Sequence, residues 1–331
     1  MRLARLLASG LILAVALSSA GLAVSTPAQE TPSDPAGRSI MAPLAESSLL
    51  LDGSYVDGLA VAVGERGHVL ISDDQGRSWR QAELPTDATL TGVYFHDRNL
   101  GWTVGHDATI LRTRDGGESW ERVYYDPEEE SPLFDVWFSD PDNGIAVGAY
   151  GLYLVTSDGG SSWERRTVLE YDDFHLHHLA RSETGRLYMA AEAGTIYRSD
   201  DNGQSWISLP SPYEGSFFGT LPLDGDTVLL FGLRGHLFRS EDAGETWEEI
   251  DTGTVAMLNR GIRSSDGTVI IAGHEGTLLL SNDEGRSFTR RGFPDREAHA
   301  TVLQTDDGGL ILIGEFGVAR MEADEELTRE P

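Results

Sequence analysis

The sequence predicts an all-β fold: a seven-bladed β-propeller of four-stranded antiparallel blades, closed by an N-terminal strand that completes the last blade. Three observations lead there. The phrase Ser/Thr-x-Asp-x-Gly-x-Ser/Thr-Trp/Phe recurs six times, beginning at Ser72, Thr113, Thr156, Ser199, Ser240 and Ser281, at spacings of 41, 43, 43, 41 and 41 residues. Ahead of each copy stand two β-rich runs around a turn, as in VAVGERGHVLIS from Val61, and a seventh such hairpin, ILIGEFGVARM from Ile311, has no phrase after it. A period near 40 residues with strand-rich sequence between the copies marks a repeat architecture.

Each repeat divides in order. One strand precedes the hairpin, such as Leu90–His96 or Leu133–Ser139, and the hairpin adds two. The phrase makes the next turn, and a fourth strand follows, such as Trp120–Tyr124. Blade seven supplies only three: Ala298–Gln304, Leu310–Gly314 and Val318–Met321. The segment Arg38–Leu44 is expected to be its fourth strand, pairing the two chain ends and removing an open edge.

The phrase reads as a folding device. Its Asp (Asp74, Asp115, Asp158, Asp201, Asp242, Asp283) can accept nearby backbone N–H groups, and its Gly supplies a positive φ. Its aromatic residue (Trp79, Trp120, Trp163, Trp206, Trp247, Phe288) is expected to be buried between neighbouring blades. A calcium loop is not indicated, because Leu209 stands where an EF-hand after Gly203 needs its Glu.

Composition narrows function. There is no cysteine, which excludes disulfides, thiolate metal sites, a cysteine nucleophile and a cysteine lipid anchor. The net charge is −29 and every one of the 25 basic residues is arginine. That sign opposes binding to nucleic acid or to anionic lipid. It fits a soluble monomer, or a protein at work in high salt. Arg2, Arg5 and the apolar run Leu6–Leu17 read as a signal peptide over residues 1–28. A polar, Pro-rich linker over 29–37, the propeller over 38–322 and an acidic tail over 323–331 complete the expected organisation. The protein is expected to be periplasmic or secreted, with no direct membrane insertion.

The face opposite the boxed phrases carries the hairpin turns, where propellers commonly bind. These turns offer Arg66, His106, Asp107, Tyr150, Glu192, Arg234, His274, Glu275, Glu315 and Phe316 as a ring at the channel mouth, against the alternative of seven solvated turns. Tyr213, Phe217 and Phe218 lie in an interblade connection; the latter two read as the first core residues of an inner strand. In the run Asp172–His178, strand alternation points His175 and His177 one way and His178 the other. Two histidines with a carboxylate could hold zinc, but hydrogen-bonded neutral histidines are preferred, so no metal and no cofactor are expected.

No Gly-x-Ser-x-Gly elbow, His-Glu-x-x-His helix or phosphate loop is present. The boxed phrase identifies an Asp-box, or BNR, repeat, which sialidases, xyloglucan-type glycoside hydrolases and sortilin-type receptors share. No Arg-Ile-Pro of the sialidase kind is found. The hairpin-plus-box run from Val104 through Thr113 into DGGESW most resembles the Ycf48/Hcf136-like group of photosystem II assembly factors, including its bacterial branch outside photosynthesis. The resemblance covers Ser39 to Met321. It implies a non-catalytic exported scaffold that binds an envelope protein or inner-membrane complex, such as an RND-type exporter. That group carries an arginine-rich patch; this chain is far more acidic. The alternative is a glycan-acting enzyme or glycan-binding module on the same fold.

Overall fold

A computed structural model describes residues 37–170 and 173–322. The expected signal peptide, nearly all of the linker and the acidic tail lie outside the described residues, as does Asp172. Seven antiparallel sheets follow one another along the chain, six of four strands and the last of three. The inner strands are Leu50–Val56, Leu90–Phe95, Leu133–Phe138, Leu176–Arg181, Phe217–Pro222, Leu258–Arg263 and His299–Gln304. Each lies against the inner strand of the next blade, and His299–Gln304 lies against Leu50–Val56, so the ring closes.

The core follows from the strand pattern. Middle strands such as Leu59–Gly64 and Val228–Gly232 are buried along their whole length, as strands covered on both faces must be. Their side chains fill seven apolar clusters, one at each interface between blades. A box aromatic joins six of them, buried or half-buried; the interface between blades six and seven has Phe293 and Phe316 instead.

The six boxes share one hydrogen-bond network. In the third copy, Thr156 Oγ1 accepts from Gly160 N–H (2.9 Å) and donates to Asp158 Oδ1 (2.9 Å). Asp158 Oδ1 also accepts from Ser162 N–H (2.9 Å), and its Oδ2 accepts from the Ser162 hydroxyl (2.7 Å). These donors hold Asp74, Asp158, Asp242 and Asp283 down at about 2. The box glycine also approaches the preceding blade: a Cβ on Gly203 (φ 82°) would stand 2.3 Å from Ile145 Cδ1.

The expected closing strand does not form. Residues 37–42 have no strand structure, and blade seven keeps three strands. Their hydrogen bonds go to blade one instead: Ser39 N–H donates to Leu84 O (3.1 Å), Ile40 N–H to Arg66 O (3.2 Å) and Ala42 N–H to Gln81 Oε1 (2.9 Å). The next turn, Ala45–Ser47, packs on the strand Gly317–Met321. Closure is by side chains. Arg320 Nη1 donates to Gln75 O (2.9 Å) of blade one's box, Arg77 pairs with Asp307 (2.6 Å), and Asp306 N–H donates to the Tyr55 hydroxyl (3.1 Å).

Candidate functional site at the channel mouth

Strand alternation puts the hairpin turns and the interblade connections on one face and the boxes on the other. At the turn face, every inner strand has a β-bulge at its start, between residues such as Leu50 and Asp52 or Leu258 and Arg260. A bulge inserts a residue that the ladder leaves unpaired and re-aims its side chain. The seven inserted residues are Leu51, Thr91, Phe134, His177, Phe218, Asn259 and Ala300, all half-buried, and all line one cavity of about 460 Å³ at the channel mouth.

The polar members of this ring are already engaged. Thr91 donates its hydroxyl to Leu133 O (2.5 Å), His177 Nδ1 lies 2.7 Å from Phe217 O, and Asn259 Nδ2 donates to His299 O (2.8 Å). Each bond reaches the next blade's backbone. What remains facing the cavity is the carbon surface of Leu51, Phe134, Phe218 and Ala300, with Met257 beside them.

A second ring lies one residue further along each strand. Asp52 accepts from Val93 N–H (3.0 Å), Asp135 from Leu179 N–H (2.8 Å), and His178 Nδ1 from Thr220 N–H (3.2 Å). Burial pushes Asp135 up to about 7, against the attraction of Arg260, and raises Asp52 as well. Burial likewise lowers His177 to about 4 and holds His178 well below the usual imidazole range. Arg260 forms the floor of the mouth, its Nη1 donating to Phe218 O (2.7 Å).

The turn residues chosen from sequence occupy two positions. Glu192, His274, Glu315 and His106 stand first in their turns, and each donates its N–H to a carbonyl just ahead of the neighbouring inner strand, as Glu315 does to Ala298 O (3.1 Å). His274 and Glu315 line the cavity. Arg66, Asp107, Tyr150, Arg234 and Glu275 stand second, at the turn tips, each with φ between 52° and 58°; Glu275 pairs there with Arg296 (2.5 Å).

Alternation misplaces His178. The bulge at His177 shifts the register, so both His177 and His178 line the channel. Phe217 is a core residue as expected, whereas Phe218 is the bulged residue and faces the mouth. His175 lies by Tyr150, whose N–H it accepts at Nδ1 (2.9 Å). Sequence reading missed Leu51, Phe134, Asn259, Arg260, Asp52 and Asp135. Their signal was present in the repeat: the bulged positions fall 40, 43, 43, 41, 41 and 41 residues apart.

The family model described as "Photosynthesis system II assembly factor YCF48" matches residues 71–134 and 125–271. The photosystem II assembly lipoprotein Ycf48 of Prochlorococcus marinus is 41% identical over 142 residues, 42% of each chain. The stability/assembly factor HCF136 of Cyanidioschyzon merolae is 40% identical over 91 residues, 25% of this chain and 21% of that one. The chain thus spans less than half the length of these curated relatives. Among solved structures, "YCF48 bound to D1 peptide" superposes with a TM-score of 0.69 at 19% identity, covering 84% of this chain and 93% of the other. An ancestral GH74 enzyme reaches 0.68 at 12% identity, covering 83% and 45%. At such identities the likeness is one of fold.

Proposed function

The chain belongs to the YCF48 photosystem II assembly-factor family, and from that premise we propose that it is an exported, non-catalytic scaffold that holds a segment of an envelope membrane protein on its turn face. The observation that carries this is the distribution of exposed apolar side chains. Of the eight large apolar side chains exposed among the described residues, Leu49 (37% exposed), Tyr150 (64%), Leu233 (36%) and Val255 (79%) stand in turns or connections of the face on which the mouth opens, while Ile40, Met41 and Leu44 lie in the N-terminal segment and Ile207 on an outer strand. Exposed apolar residues on the face into which an apolar cavity opens mark an interaction surface.

Export is supported by the N-terminal pattern and by the lipoprotein name of cyanobacterial relatives; among the described residues no helix is long and apolar enough to cross a membrane. A membrane-protein partner is supported by the relative whose solved structure carries a D1 peptide. For this chain the partner is an inner-membrane complex, with an RND-type exporter as one candidate. The non-catalytic reading is supported by the channel carboxylates. Asp52 and Asp135 are buried, and each is occupied by a backbone N–H of the next blade. A glycosidase needs its carboxylates free to meet a sugar.

The test is crosslinking in the native envelope, followed by affinity recovery and mass spectrometry. Wild type is compared with Leu49→Asp, Tyr150→Ala and Val255→Asp combined, and with Ile207→Asp on an outer strand. A specific membrane complex recovered with wild type and Ile207→Asp but lost with the triple variant is the expected result. Equal recovery by all three, or background alone, defeats the proposal.

A further inference from the structure

Resting on that reading, we infer that the mouth takes a bulky apolar side chain from an extended partner segment whose flanking residues are basic. Three features on different elements converge on this chemistry. The first is the bulge ring. Its polar members are committed to the next blade, so Leu51, Phe134, Phe218 and Ala300 offer an apolar wall to whatever enters. A cavity of about 460 Å³ is in the range that receives small molecules or large side chains.

The second feature is the floor. Arg260 lies at the base of the mouth, with Asp52, Asp135 and His178 deeper in the channel. The two carboxylates are capped by backbone N–H groups and do not line the mouth cavity, whereas Arg260 lines both it and the channel below. A lysine or arginine pushed into the mouth meets Arg260 first and is repelled, so the anchor itself is not cationic.

The third feature is the rim. The first two positions of the seven turns carry five carboxylates, Glu65, Asp107, Glu192, Glu275 and Glu315, against two arginines, Arg66 and Arg234, so the rim is acidic on balance. On a chain of net charge −29, this rim attracts positive flanks. Floor and rim have opposite preferences, and only an apolar anchor between basic neighbours satisfies both.

The experiment uses fluorescein-labelled heptapeptides and the purified full chain, read by anisotropy at about 0.15 M salt, where exposed charges are largely screened. The reference probe is Arg-Arg-Gly-Phe-Gly-Arg-Arg. Serine or glutamate replaces Phe in two further probes, and glutamates replace all four arginines in another. The reference is expected to bind about tenfold more tightly than any of them, a difference of ~1.4 kcal/mol. Ala300→Trp, which fills the mouth, is expected to erase the Phe-over-Ser preference. Combined Glu65→Gln, Glu192→Gln and Glu315→Gln is expected to erase the preference for basic flanks while leaving the anchor preference. Equal binding of the Phe and Ser probes reduces the effect to bulk charge and overturns the inference, and tighter binding of the Glu-anchored probe overturns it in favour of Arg260. The probe comparison on wild-type protein decides the matter even if Ala300→Trp does not fold. A membrane complex recovered in the envelope experiment without any anchor preference here leaves the scaffold reading standing and removes this one.

Discussion

His299 occupies the inner-strand position that is Leu50, Leu90, Leu133, Leu176, Phe217 and Leu258 in the other blades. It is 2% exposed, neither ring nitrogen has a hydrogen-bond partner, and Phe293 and Phe316 meet its ring edge-on. Burial holds it at about 4, below its ordinary 6.5. The unfolded chain therefore binds the proton more readily, so the protein is most stable with respect to this group above about pH 6.5 and loses stability as pH falls toward 4. His299→Leu is expected to raise stability at neutral pH by ~1–3 kcal/mol, the cost of leaving a buried polar group unsatisfied, and to flatten the acid loss over that window in urea titrations. Asp135 acts with the opposite sign. Its folded value near 7 lies above the ordinary 3.8, so its favourable contribution is present below that ordinary value and is lost as pH rises through about 7. Asp135→Asn is expected to gain on wild type between about pH 5 and about pH 8. A wild-type and variant difference that stays constant across those two pH values would count against the assignment.

At the scale of the element, the boxed turn does more than reverse the chain. The residue just before the box is arginine in three blades, blade seven has Arg320 at the matching strand position although no box follows it, and each of the four reaches the carbonyl just ahead of the next box's glycine. Arg112 donates to Gly159 O (2.6 Å), Arg198 to Ala243 O (2.8 Å), Arg239 to Glu284 O (2.9 Å) and Arg320 to Gln75 O (2.9 Å). In blade three Val155 holds that position, and a cleft lined by Val155, Asn202 and Gly203 opens between blades three and four. Arg239→Met and Arg320→Met each remove a charged, largely buried donor and are expected to cost ~1.5–3 kcal/mol. The two are distinguished by hydrogen exchange. Only Arg320→Met is expected to speed exchange in the first and last blades together, because of these two arginines Arg320 is the one that spans them.

The box and the hairpin were readable without coordinates, since a local turn needs only its own few residues and repeats them. The bulge was not. An inserted residue before Asp135 or His178 looks like one more strand position, and the alternation rule then turns His178 the wrong way. The bulged residues could have been found by aligning the seven repeats and noting that one column, from Leu51 to Ala300, does not alternate with its neighbours as a regular strand would.

For the whole molecule, the period of the sequence determined the number of blades, the order of strands and the composition of each interblade core. Those follow from local hydrophobic pattern and turn chemistry, which any one repeat carries by itself. The manner of closure was decided only in three dimensions. Arg38–Leu44 has backbone groups free to pair with either chain end, and competition between Leu84, Arg66 and Gln81 of blade one and the edge of blade seven settled where they went. The mouth was decided in the same way. Its wall is made of one residue from each of seven distant repeats, and its polarity depends on which side chains the next blade has already engaged, a quantity that no single stretch of sequence contains.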